Sequence, residues 1–195
     1  MGRVFLLRHG ETEWSATGRH TGRTDIPLTD RGRELATQAG PTLEALRRGD
    51  PPPVRVITSP RSRAQETAKL AGLQPDAVDE RLSEWDYGDC EGRTTPQIRE
   101  DVPGWTVWTH PCPHGETAAQ VGARADALLT DVRELLPRGD VVLVGHGHFS
   151  RVLTARWIGL PPEGGVHIAM DAAAWTILGD ERGVPRLDAV NLRIP

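Results

Sequence analysis

With 195 residues, a net charge of −4 and a pI near 6.0, the chain lacks the cationic surplus of a surface built to neutralise nucleic acid or anionic lipid. Its length suits one α/β domain, and its two cysteines, Cys90 and Cys112, lack the C-x-x-C spacing of a cysteine-based zinc site and are too few for a disulfide framework. No apolar run approaches the roughly 18 residues of a spanning helix, and the short apolar run at the start lacks a cleavage site, so a cytoplasmic protein without membrane or nucleic-acid partners is expected.

The chain opens on Val4-Phe5-Leu6-Leu7, four apolar residues without alternation, followed by Arg8-His9-Gly10. Such a run suits a central strand covered on both faces, and open parallel sheets bind ligands at the carboxyl ends of their strands. Glu11 to Thr29 has no apolar period and reads as a loop leaving that end. A helix is expected from about Thr29-Asp30, with Leu35, Ala39, Leu43 and Leu46 as its stripe and a kink or break at Gly40-Pro41. Val54 to Thr58 repeats the buried-strand pattern and ends in Ser59-Pro60-Arg61-Ser62-Arg63, which opens a helix running to about Leu73. Arginines in a first helical turn oppose the dipole unless an anion sits between them and the free N–H groups, so this turn is a candidate phosphate site.

Ala77 to Asp86 suggests a short strand leading into Glu84-Trp85-Asp86-Tyr87-Gly88, a cluster of acidic and aromatic residues. A lid-like insertion is expected around 88–116, with one short helix near Pro96 to Glu100, and Trp105, Trp108, His110 and His20 read as lid packing or surface. Thr117 to Leu136 reads as an amphipathic helix opened by the capping box Thr117-Ala118-Ala119-Gln120. His114-Gly115-Glu116-Thr117 copies the letters of the first motif without a preceding strand, which leaves a helix-capping loop and a substrate contact both open. Asp140 to Val144 is the clearest strand and ends, like the first, in His-Gly: Gly145-His146-Gly147-His148. A helix from Ser150 to about Ile158 and strands at Ala174 to Gly179 and Leu187 to Leu192 complete a three-layer α/β/α sandwich with a mostly parallel sheet.

Three strands thus carry arginines and histidines to one rim, a site for an anion with a nucleophile in it. Arginine forks match phosphoryl oxygens, and a neutral imidazole can attack phosphorus in line. Metal binding by His146-x-His148 is the competing use. No carboxylate stands at ligand spacing, and neighbouring arginines would repel a cation, so neither a metal nor a cofactor is expected.

With these motifs in hand, the chain resembles the histidine phosphatase superfamily, which includes phosphoglycerate mutases and many phosphatases. Arg8-His9-Gly10-Glu11-Thr12 matches its signature, Thr21-Gly22 its phosphate loop, Ser59 to Ala64 its Ser-x-x-x-Arg-Ala element, and Glu84 and His146 its acid–base glutamate and second histidine. The resemblance implies His9 as the phosphorylated residue, Arg8, Arg63 and His146 as the charge cradle, and Glu84 as proton donor. It extends the substrate contacts to Ser15, Thr21, Gly22, Tyr87, Gly147 and His148. Ser15 and His148 stand where many members carry Asn. Trp85 and Thr95 stand where mutases place cations for a second phosphate, which points to hydrolysis. The wording from Glu84 to Gly92 looks closest to a branch with acid phosphatases and sugar-bisphosphatases. The implied function is a phosphomonoesterase acting on small phosphorylated metabolites through a phosphohistidine. A phosphoglycerate mutase and a non-catalytic phospho-ligand module are the alternatives, and the oligomeric state stays open, a homodimer included.

Overall fold

The computed structural model describes residues 2–47 and 49–193. Six strands form one sheet in the order β3-β2-β4-β1-β5-β6, namely β1 (Val4–Arg8), β2 (Arg55–Thr58), β3 (Ala77–Val78), β4 (Val141–Gly145), β5 (Trp175–Glu181) and β6 (Val184–Leu192). The first four are parallel, whereas β5 runs antiparallel to β1 and turns back into β6 at the edge.

The unalternated strands are buried on both faces because successive side chains point to opposite layers. Val4 and Leu6 of β1 join Val141 and Leu143 of β4 in one core, with α5 (Ala118–Leu135) and α6 (Gly147–Trp157). Phe5 and Leu7 join Val142 and Val144 in a second, with α2 (Asp30–Arg47) and α3 (Ser62–Leu70). The arrangement is the expected sandwich, a mostly parallel sheet between helical layers.

Three local expectations change. The Glu11 to Thr29 loop contains a one-turn helix, α1 (Glu13–Ala16), closed by a capping box between Thr12 and Ser15. Helix α2 runs through Pro41 without a break. Gly40 is where α2 meets the end of α3, since a Cβ there would stand 2.6 Å from the Ala71 carbonyl oxygen, so tertiary packing fixes the segment that proline alone would loosen. The buried stripe of α2 is Ala36, Ala39 and Leu43, with Leu35 only half-buried.

The 88–116 segment, which contains α4 (Thr95–Asp101), contributes Cys90, Ile98, Trp105, Val107, Trp108 and Cys112 to the α5/α6 core. Both cysteines are free thiols, and burial, followed by the adjacent Cys90, pushes the Cys112 thiol up to about 12. Among the described residues, no helix is long and apolar enough to cross a membrane.

Candidate active site

Parallel neighbours end on the same side, and this delivers the chemistry. β1 and β4 pair in register through Arg8 and Gly145, so Arg8, His9 and His146 reach one rim, and β2 on the far side of β4 adds Ser59. Gly10 is required at the turn: a Cβ there would lie 2.3 Å from the Gly32 carbonyl oxygen, so only glycine lets α2 approach this closely.

His9 is 5% exposed, and its Nδ1 lies 2.6 Å from the Gly10 carbonyl oxygen. A carbonyl only accepts, so Nδ1 carries the proton and Nε2 keeps its lone pair. Burial, then the charges of Arg63 and Arg8, hold the His9 pKa well below the usual imidazole value. The ring is therefore neutral, with Nε2 unprotonated, across the neutral range.

His146 packs against it with ring centroids 5.2 Å apart. Its Nε2 lies 2.7 Å from the Ser59 hydroxyl, while its Nδ1 is buried with no partner. Burial and then Arg63 also hold this imidazole well below its ordinary pKa.

Arg8 and Arg63 each tie one end of the guanidinium to the fold and leave Nε buried and unpartnered. Arg8 donates from Nη1 to the Met170 carbonyl at 2.7 Å. Arg63, 0% exposed, donates to the carbonyls of Thr24 at 2.9 Å, Thr21 at 3.1 Å and Gly22 at 3.3 Å. The phosphate expected at the start of α3 is displaced by a side chain of the chain itself. The Asp25 carboxylate accepts from the Ser62 N–H at 3.1 Å and its hydroxyl at 2.9 Å, and lies 3.7 Å from Arg63 Nη1, so an anion does sit at this helix start.

Glu84 follows a single turn of 3-10 helix, Glu80–Leu82, and is 8% exposed. Its Oε1 accepts the N–H of Phe149 at 2.8 Å and of Trp85 at 2.9 Å, and its Oε2 accepts the N–H of His148 at 3.0 Å. The carboxyl is thus fixed on the first turn of α6, with Oε2 the less occupied oxygen.

Arg8, His9 and Glu84 line a cavity of about 270 Å³ together with Tyr87, Thr95 and His148, while Arg63 and His146 are fully buried and not part of its lining. Ser15 and Thr21 also line it, although the Ser15 hydroxyl already bonds the Thr12 backbone and the Thr21 hydroxyl donates to the Arg19 carbonyl. Gly22, expected from the resemblance to contact the phosphate, donates its N–H to the Glu91 carboxylate at 2.9 Å and lines a neighbouring cleft. Gly147 opens α6 beside Arg8, where a Cβ would stand 3.3 Å from Nε.

His114 is exposed and bonds Asp89, while Thr117 caps α5 and Glu116 holds Arg124 at 2.7 Å, so the copied motif is a capping loop. His20 is a cavity residue that motif reading placed among packing or surface positions. It is 9% exposed and bonds Thr95 Oγ1 at 3.2 Å, and only its place in the loop leaving β1 pointed to the site. Among the described residues, no three His, Cys, Asp or Glu side chains are grouped to hold a metal ion.

The rim thus presents a neutral histidine beside two arginines, with a carboxyl held on a helix N-terminus, an arrangement that suits an anionic ligand. The family model for the histidine phosphatase superfamily (branch 1) matches residues 4–193, and the chain belongs to that superfamily. It is 52% identical over 190 residues to an acid phosphatase of Mycobacterium tuberculosis, covering 97% of this chain and 92% of that one. It is 33% identical over 186 residues to a sedoheptulose 1,7-bisphosphatase of Saccharomyces cerevisiae, covering 81% and 68%. A solved structure from Mycobacterium tuberculosis superposes with a TM-score of 0.94 at 51% identity, covering 98% of this chain and 97% of that one.

Proposed function

We propose that the protein is an acid-phosphatase-like phosphomonoesterase that hydrolyses small phosphorylated metabolites in the cytoplasm through a phosphohistidine at His9. The chain is a phosphoric monoester hydrolase of the histidine phosphatase superfamily. The observation that carries the intermediate is the Nδ1–H bond of His9 to the Gly10 carbonyl, which leaves Nε2 unprotonated beside two arginines.

In the first step Nε2 attacks phosphorus opposite the ester oxygen. The P–O bond breaks as Glu84 gives its proton to the departing alkoxide, a contribution of roughly 10²–10⁴-fold for a placed general acid. The free Nε–H groups of Arg8 and Arg63 meet the charge spread over the phosphoryl oxygens. His146 adds an Nδ1–H when the Ser59 hydroxyl donates to its Nε2. In the second step water attacks the phosphohistidine, the N–P bond breaks, and the Glu84 carboxylate takes the proton of the water. Inorganic phosphate leaves, and His9 and Glu84 return to their starting states.

Hydrolysis is favoured over mutase chemistry by the positions of Trp85 and Thr95. Trp85 is buried with its indole N–H on the Glu116 carbonyl at 2.8 Å, and Thr95 bonds His20, so neither offers a cation to a second phosphate. The test is rapid quenching with a labelled phosphate ester. An acid-labile, alkali-stable label that His9→Ala lacks is the expected result. A labelled His9→Ala protein, or one that keeps most of its turnover, overturns the reading.

A further inference from the structure

His148 and Tyr87 form a unit that the two-step mechanism leaves unused. The Tyr87 ring is buried, and its hydroxyl lies 2.6 Å from His148 Nδ1, its sole hydrogen-bond partner among the described residues. Burial, then the charge of Glu84, holds the phenol well above its usual pKa, and burial holds the imidazole well below, so both are neutral and share one proton position between them. Of the two groups a phenol is the stronger donor and an imidazole nitrogen the stronger acceptor, so the 2.6 Å contact is made with the hydroxyl donating. Tyr87 therefore donates, Nδ1 accepts, and the ring proton resides on Nε2.

Among the described residues that second nitrogen has no hydrogen-bond partner and is not among the buried unpartnered polar atoms, and His148 lines the cavity. The ring is also held still. It stacks on His20 at 5.9 Å between centroids with 27° between planes, and meets Trp108 edge-on at 5.2 Å. Its backbone N–H donates to Glu84 Oε2, so it stands beside the group proposed to protonate the leaving oxygen.

We infer that Tyr87 is a positioning residue that fixes His148 as an Nε2–H donor on the leaving-group side of the cavity, and that this donor selects esters whose leaving alcohol carries a further hydroxyl or carbonyl oxygen. The inference rests on the phosphatase reading for its substrate class. A neutral N–H in a half-enclosed cavity discriminates chiefly against leaving groups without an acceptor, because their binding would leave it unpaired.

Two measurements test it. Nitrogen-15 spectra of the labelled resting protein should show His148 protonated at Nε2, and Tyr87→Phe, which keeps the ring, should shift that tautomer balance. In steady state, wild type should prefer 2-hydroxyethyl and glycerol phosphates over ethyl and propyl phosphates, and Tyr87→Phe should reduce that preference in kcat/KM by about tenfold, as for one placed hydrogen bond. His148 protonated at Nδ1 in the wild type, or a preference unchanged in Tyr87→Phe, overturns the inference. A wild type that hydrolyses none of these esters nor p-nitrophenyl phosphate instead overturns the phosphatase reading, and the spectra still decide the tautomer. Should Tyr87→Phe not fold, His148→Gln takes its place in the kinetic comparison.

Discussion

Replacing His20 by phenylalanine should make the protein less sensitive to acid. Burial lowers the His20 pKa to about 4, against an unfolded imidazole near ~6.5. Between these values the unfolded chain binds a proton that the folded chain refuses, so stability is complete above pH ~6.5 and is lost as pH falls from there towards 4. The loss attributable to this one ring is about 2 kcal/mol at pH 5, from RT times the logarithm of the two proton-binding polynomials. Phenylalanine keeps an aromatic ring against Tyr87 and Trp105, which sit 4.8 and 5.1 Å from His20. It forfeits the 3.2 Å bond to Thr95, a cost of about 1 kcal/mol that does not change with pH. Urea unfolding followed by tryptophan emission at pH 7.5 and 5.0 gives both free energies. The stability of His20→Phe relative to wild type should rise by about 2 kcal/mol between the two conditions. A difference that stays constant with pH would show that His20 is not held neutral by its surroundings.

Glu84→Gln should slow glycerol phosphate by roughly 100-fold or more, and slow the phosphorylation step with p-nitrophenyl phosphate much less, since that leaving group scarcely needs a proton; equal losses in single-turnover measurements would remove Glu84 as the donor. Arg63→Lys should raise KM and lower unfolding free energy by about 2 kcal/mol, because one ammonium cannot serve three carbonyls and a phosphate together; unaltered stability by urea titration would refute the structural share of that role. Activity should survive EDTA, because arginine and histidine supply the positive charge at the proposed phosphoryl position; a loss restored by zinc or magnesium would refute it. With 3-phosphoglycerate, release of phosphate should outpace formation of the 2-isomer, and the reverse order by NMR would reassign the chain as a mutase.

The rim itself was legible in the sequence because β1 and β4 are unbroken apolar runs that stop where the polar residues begin, Leu7 before Arg8 and Gly145 before His146, while the shorter Val56-Ile57 pair of β2 leads into Thr58 and Ser59. What escaped reading was pairing across long separations. The start of α3 advertised an anion, and one carboxylate there is Asp25, 37 positions before Ser62, of which local spacing carries no trace. Gly22 looked free to hold phosphate because Glu91, 69 residues later, was not known to occupy its N–H. Pro41 looked like a helix break because intrinsic propensity was read without the packing of α2 on α3. His20 was passed over because a lone histidine in a polar loop gives no hint that Thr95, Tyr87 and Trp105 will enclose it.

Arg63 and Glu84 each hold the fold together with groups proposed to handle the phosphoryl transfer: the arginine binds three loop carbonyls, and the carboxylate three backbone N–H groups. Substitutions there lose stability and turnover at once, so neutral drift has little access to the reaction chemistry. Two lining residues are held differently. Thr95 and His20 reach the cavity from α4 and the first loop, joined by one side-chain hydrogen bond, with His20 packed against Tyr87, Trp105 and His148. On the proposed mechanism, changes at Thr95 and His20 should alter which alcohol is accepted while leaving the phosphoryl chemistry in place, so divergence of substrate would run through the residues that hold neither the arginines nor the glutamate.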